Sequence, residues 1–297
     1  MSRFGAIDLS QLPVPAVVER LDYETILAAM RAELVARAPQ LAPVLVLESE
    51  PAVKILEVAA YREMLLRARI NDAARAVMLA TATGADLDNL AALLGVSRFV
   101  LDPGDLDAVP PVAATLEADA DLRYRAQLAL EGYTVAGPRG AYVFHAASAS
   151  PLVRDVSVTS PAPGTVLVTI LSAEADGIAT PDLLAVVDGV LNAEEIRPLC
   201  DTVIVAAAEV LTYAVIASLE LDEGPDPLVV QQEAFGEVAM LVEEGMRLGR
   251  PVSRSALMAA LHRTGVRRVV LTSPAADVEC SELQAARCTA ITVTVAP

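Results

Sequence analysis

The stretch VRDVSVTSPA occupies residues 153–162, and VRRVVLTSPA occupies residues 266–275, with seven of ten positions identical. The same offset of 113 residues holds backwards without a gap. Pro138 falls on Pro251, Ala146 and Ala147 fall on Ala259 and Ala260, and Glu131 and Gly132 fall on Glu244 and Gly245. Over residues 121–162, 14 of 42 positions agree. Self-similarity at a fixed offset marks a duplicated structural unit. Each copy reads as helix, glycine break, helix, strand, turn, strand. In the first copy the strands are expected near 153–159 and 164–171, joined at SPAPG. In the second they are expected near 266–272 and 289–295, across a longer loop carrying Cys280 and Cys288. TVLVTIL and TAITVTV are rich in β-branched residues, which suit a pleated, half-buried surface. Between the copies, Thr180 and Pro181 have the chemistry of a helix cap and first turn.

One further run must be read by its period. VIVAAAEVLTYAVIASLEL (203–221) is as long as a membrane span, yet it carries Glu209 and acidic flanks. From Leu211 it alternates, with Leu211, Tyr213, Val215, Ala217 and Leu219 on one face. That is strand periodicity, and it argues against membrane insertion.

Upstream of the duplication the pattern is helical. Asp22 is placed to cap a helix with Ile26, Leu27, Met30 and Leu34 at helical spacing. Pro39 and Pro43 bracket a break. Ser49 as cap and Pro51 in the first turn then open a run with no Gly or Pro before Gly84. A helix of about 30 residues would span roughly 45 Å, more than a small domain needs. Its apolar positions spread around much of the circumference, which suits packing on several neighbours. A shorter helix follows, capped by Asp86 or Asp88 and stopped at Gly95. LDPGDLDAVPP, within 98–117, reads as a loop or hinge. The chain is therefore expected to be α+β: a helical N-terminal region with a long helix (1–97), then two related helix-helix-strand-strand units (98–200 and 201–297).

Composition narrows the function. With 22 Lys and Arg against 39 Asp and Glu, the formal net charge is −17. This opposes nucleic-acid binding, which needs cations to displace the counterions of phosphates. It also disfavours anionic membrane surfaces. Apolar residues make up 54% but aromatics only 3%, so Ala, Val and Leu must fill the core. Three cysteines, Cys200, Cys280 and Cys288, lack the spacing of a disulfide framework or a zinc site. The N-terminal MSRFGAIDLSQLPVP has no basic stretch followed by an apolar core, so no signal peptide is expected.

The glycines and histidine of GYTVAGPRGAYVFHAAS (132–148) invite a catalytic reading. Gly140 is followed by Ala141 and Tyr142, not by the Lys and Ser/Thr of a phosphate loop. Gly132 and Pro138 recur as Gly245 and Pro251, so they read as helix punctuation. His145 corresponds to Met258, and a triad of His145, Ser148 and Asp155 lacks a nucleophile elbow. With only two histidines, His145 and His262, no paired-histidine metal motif exists. No catalytic, cofactor-binding or metal-ligating residue is expected. A hydrolase centred on His145, or a peripheral membrane or adhesion module, is the alternative.

The segment EPAVKILEVAAYREMLLRARINDAARAVMLATATGADLDNLAALLGVSR (50–98) resembles the baseplate J proteins of contractile-tailed phages. So does YRAQLALEGYTVAGPRGAYVFHAASASPLVRDVSVTSPAPGTVLVTIL (124–171), with its Gly, Pro and Ser-Pro punctuation. The resemblance covers most of the chain in order and is weakest at 276–288. It implies a structural wedge subunit without catalytic residues or cofactor. Such a subunit sits between the central hub and the tail fibres of a sixfold baseplate. It assembles with other wedge proteins and further copies of itself, and helps transmit the contraction trigger to the sheath. The same family occurs in headless, phage-tail-like bacteriocins. Such a protein is made in the bacterial cytoplasm and then becomes part of the particle. Leu56, Ala60, Leu66 and Ile70, all on the long helix, are the candidate partner-interface residues.

Overall fold

The computed structural model describes residues 7–13, 15–134, 137–174, 176–224 and 226–296. The chain forms two compact units. The first takes the chain up to Arg98 together with Ala118–Ala126, and the second takes Phe99–Glu117 and the chain from Gln127 onward.

The first unit is helical. Asp22 caps α1 (Tyr23–Arg37), accepting hydrogen bonds from the Glu24 and Thr25 amides at 3.0 and 3.3 Å. This satisfies donors that the first helical turn leaves open. Helix α2 (Pro51–Ala76) has 26 residues and lies against α1. Ile26, Leu27 and Ala60 form the buried contact, flanked by Tyr23, Met30, Leu56 and Met64. Asn71, buried on α2, exchanges two hydrogen bonds with the Glu19 backbone, at 3.0 and 2.8 Å.

Helix α2 differs from its expected form at both ends. Its cap position is Glu50 rather than Ser49, and no side chain caps it. It stops at Ala76, well before Gly84, for a tertiary reason. The Arg123 guanidinium donates to the carbonyls of Leu79 and Ala82 at 2.7 and 2.6 Å, and the Thr81 hydroxyl donates to Arg75 at 2.7 Å. These bonds hold the chain in a turn that a continuing helix would have to break. Helix α3 (Gly84–Ala92) follows Thr83 rather than an aspartate cap. Asp88 instead pairs with Arg98 at 2.6 Å, and Arg98 reaches Asp119 at 2.7 Å, at the start of α4 (Asp119–Leu128).

In the second unit the segment expected as a loop carries a short antiparallel pair, β1 (Val100–Asp102) with β2 (Thr115–Leu116). Two three-stranded sheets follow. The first has the order β3 (Val153–Ala162), β4 (Thr165–Ser172), β5 (Thr202–Ala207). Strands β3 and β4 form a hairpin, and β5 joins β4 in parallel. Helices α5 (Arg139–Ala149) and α6 (Pro181–Leu191) pack on β3 and β5. The Thr180 hydroxyl caps α6 by accepting from the Leu183 amide at 3.3 Å.

The second sheet has the order β7 (Val266–Ser273), β6 (Glu209–Leu221), β8 (Gln284–Val295), with α7 (Pro227–Gly245) and α8 (Arg254–Leu261) packed on it. The run 203–221 thus lies in β5 and β6. Tyr213, Val215, Ala217 and Leu219 are buried, as the alternation requires, with Val230, Ala234, Val238, Leu257 and Leu261 from the helices. No helix among the described residues is long and apolar enough to cross a membrane.

The duplicated units differ in one respect that sequence reading missed. In the second copy, β6 inserts between β7 and β8, pairing antiparallel with one and parallel with the other. In the first copy, β3 and β4 pair directly. The residues 113 positions before β6 include Pro103 and Gly104. Proline cannot donate to a strand ladder and glycine weakens one, so only the three-residue β1 forms there. Strand β8 also begins earlier than expected, so Cys288 lies in the strand and only Cys280 in the preceding loop.

Candidate assembly surfaces

Gly132 lies in a short 3-10 turn after α4, not at a helix end. A Cβ there would collide with the Phe144 ring. Gly132 is thus needed for close approach, whereas a Cβ on Gly245, the last residue of α7, would meet nothing within 4 Å. Pro138 immediately precedes α5, but Pro251 lies ahead of Ser253, whose hydroxyl caps α8.

The face of α5 carrying Tyr142 is tied down. Its hydroxyl donates to Asp201 at 2.8 Å, and burial followed by the neighbouring carboxylate raises the phenol above its ordinary range. His145 stacks edge-on with Phe144, with ring centroids 5.3 Å apart. Asp155 accepts from the Leu248 amide at 3.0 Å. Ser148 Oγ is buried without a hydrogen-bond partner among the described residues. His145, Ser148 and Asp155 therefore form no oriented nucleophile and base. Burial raises the Cys280 and Cys288 thiols, which lowers their thiolate fraction. Among the described residues no three His, Cys, Asp or Glu converge where a metal ion could sit.

Burial also holds His145 below the ordinary imidazole value, and a hydrogen bond to the Gly132 backbone partly opposes this. A histidine with a depressed folded pKa binds its proton more readily in the unfolded chain. Its contribution is present above the unfolded value of about 6.5 and is lost as the pH falls from there toward the folded value. Urea titrations at pH 7.5 and 5.5 are expected to show lower stability at 5.5, with a smaller difference in His145→Gln. An equal difference in the variant would assign the effect elsewhere.

The chain offers larger surfaces of another kind. Helix α2 has two apolar faces. Leu56 and Ala60 lie on the face that packs on α1, whereas Leu66 and Ile70 are exposed. Ile55, Val58 and Leu65 extend that exposed side. At 100° per residue these five fall within an arc of about 140°, which Arg62 and Arg69 share. The sequence singled out the helix but did not separate its faces.

The second surface is the joint between the two duplicated units. Strand β3 bulges at Arg154, which falls between the pairs Val153–Ser172 and Asp155–Leu171. The bulge aims the guanidinium at the end of α7. Arg154 donates from Nε to the Met246 carbonyl at 3.1 Å, from Nη1 to the Glu243 carboxylate at 2.7 Å, and from Nη2 to the Glu243 carbonyl. A cation at a helix C-terminus meets the negative end of the helix dipole. Beneath it, Leu171, Ala208, Met246 and Ala285 form a small apolar core. A Cβ on Gly177 would strike the Met246 side chain. No reading of the sequence picked out this joint. The Arg at 154 and 267 was visible as part of the repeat, but its target was not.

Comparison with known proteins identifies the family. Family models match in order: the Baseplate J-like N-terminal domain over residues 48–105, the Baseplate J-like central domain over 134–207, and the Baseplate J-like protein C-terminal domain over 213–294. The chain is 46% identical over 288 residues to baseplate protein J of Escherichia phage P2, covering 95% of each protein. A long helix with an exposed apolar face, followed by a duplicated α+β unit, is thus the form taken here by a member of the baseplate J family, to which this chain belongs.

Proposed function

We propose that this protein is a structural, non-catalytic subunit of the wedge in the baseplate of a contractile tail. It joins other wedge proteins and further copies of itself in a sixfold baseplate, between the central hub and the fibres. In this position it helps carry the contraction trigger towards the sheath. Residues 1–97, 98–200 and 201–297 are its three working parts. The observation that carries this reading is the exposed apolar stripe on α2, with Ile55 and Leu66 near its centre and Ile70 at its edge. Such a stripe in water invites a partner helix, because burying it removes apolar area at about 25 cal/mol per Å². Leu56 and Ala60 contribute from behind, by fixing α2 on α1 so that the stripe is presented as one surface. Family membership supports the baseplate setting, and the fixed joint at Arg154 suits a part that transmits force.

The test is to express the tagged chain with the open reading frames beside its gene, purify it, and measure the mass of the product. A stable complex with adjacent products is expected. A chain that remains alone under all such combinations would count against the wedge reading.

A further inference from the structure

Each half of the internal joint has a counterpart elsewhere in the duplication. Arg267 occupies the position of Arg154 in the second unit. It sits in the same bulge, between the pairs Leu221–Val266 and Glu220–Arg268. The strands also start alike, for the Val153 amide donates to Ser150 at 3.2 Å and the Val266 amide to Arg263 at 3.0 Å. Yet Arg154 is used and its side chain is 23% exposed, whereas Arg267 is 67% exposed and, among the described residues, pairs with the Glu220 carboxylate at 3.2 Å. A pairing this exposed adds little to stability.

The other half of the joint is also duplicated. The Glu243–Met246 turn that Arg154 grips corresponds to Leu130–Tyr133 in the first unit. The two turns share a backbone hydrogen bond, from Met246 to Glu243 and from Tyr133 to Leu130, each 3.4 Å. Met246 is 8% exposed, buried in the joint, whereas Tyr133 is 69% exposed and Leu130 and Glu131 stand in solvent beside it. One end of the duplicated region thus presents a bulged arginine, followed by Arg268, which is 68% exposed and lies 3.6 Å from the same Glu220 carboxylate. The other end presents a helix-terminal turn with carbonyls, a carboxylate and an exposed aromatic.

We propose that the joint recurs between chains: Arg267 and Arg268 of one copy engage the Leu130–Tyr133 turn of a second copy, head to tail. Arg267 donates to the turn carbonyls as Arg154 does within the chain. Arg268 stands where the first unit has Asp155, and its charge suits Glu131 in place of the amide that Asp155 accepts from. Tyr133 takes the place of Met246. The contact is heterologous, using a different surface on each copy, so it propagates round a ring or along a row rather than closing a pair. It rests on the reading that copies of this chain meet in the particle, and it names the surfaces.

Sedimentation of the full chain over a range of concentrations tests it. The wild type is expected to grow beyond the 31.1 kDa monomer as concentration rises. Arg267→Glu blocks one end and Tyr133→Asp blocks the other, so each variant alone is expected to stay monomeric, with an unchanged melting temperature. An equal mixture of the two retains one good pair of ends and is expected to stop at the dimer. Arg267→Ala with Arg268→Ala repeats the test should the charge reversal disturb folding. A wild type monomeric throughout, variants that associate like the wild type, or a mixture that forms nothing would each overturn the proposal. Co-purification of Arg267→Glu with neighbouring gene products separates the two readings, because the stripe on α2 is untouched. A wild type that co-purifies with neighbouring products but never self-associates defeats this inference alone.

Discussion

Ile70→Asp is expected to leave the chain folded and to reduce the yield of complete particles about a hundredfold or more. Ile70 is exposed in the free chain, so a carboxylate there costs the fold little. Against a partner helix the same carboxylate would be buried without a cation, a penalty of several kcal/mol. About 3 kcal/mol already corresponds to roughly a hundredfold in an association constant. Particle titre after complementation reports the assembly effect, and a circular-dichroism melt reports the fold. Ala60→Asp is the contrasting control. It thrusts a charge between α2 and the buried Ile26 and Leu27, and should lower the melting temperature of the helical unit before assembly is at issue. Normal titres from Ile70→Asp would remove the exposed stripe from the partner interface.

The second large effect is expected at the joint. Arg154→Glu replaces a cation that serves two carbonyls and a carboxylate with an anion facing the same groups. Hydrogen bonds from a charged donor contribute about 1.5–3 kcal/mol each, and like-charge contact adds to the loss. The Glu243 carboxylate is largely solvent-exposed, so the ion pair itself is the smaller part. A destabilisation of about 2–4 kcal/mol is expected in urea titration. Arg267→Glu, at the equivalent bulge, should change stability by less than about 0.5 kcal/mol, as surface substitutions usually do. Equal losses in the two variants would mean that the bulged arginine acts in its own strand and not through α7.

Particular residues mark how far the sequence could be read. Asp22 and Thr180 were legible as caps because a cap depends on the residue and the three that follow it. Val215, Ala217 and Leu219 were legible as one buried face because strand period needs no partner to be visible. Arg123 was not legible as the group that ends α2, since it lies in another helix, far along the chain from the carbonyls it takes. The insertion of β6 between β7 and β8 was hidden for the same reason. Pro103 and Gly104 explain why the first copy has no matching strand, but they say nothing of where β6 goes in the second. At the candidate surfaces, Leu56, Ala60, Leu66 and Ile70 were legible as apolar positions of one helix, but only the docking of α1 separates the two that are covered from the two that are free.

The amino-acid sequence alone determined the helical start, the α+β duplication, the strand nature of residues 203–221 and the baseplate J resemblance. Each is carried by local chemistry or by identity at a fixed offset. Tertiary structure alone decided which copy of a duplicated residue is used. Arg154 and Arg267 stand in the same bulge with the same chemistry. One is a clamp because a helix C-terminus lies opposite it in the folded chain, and the other is 67% exposed and reaches a carboxylate on its own sheet.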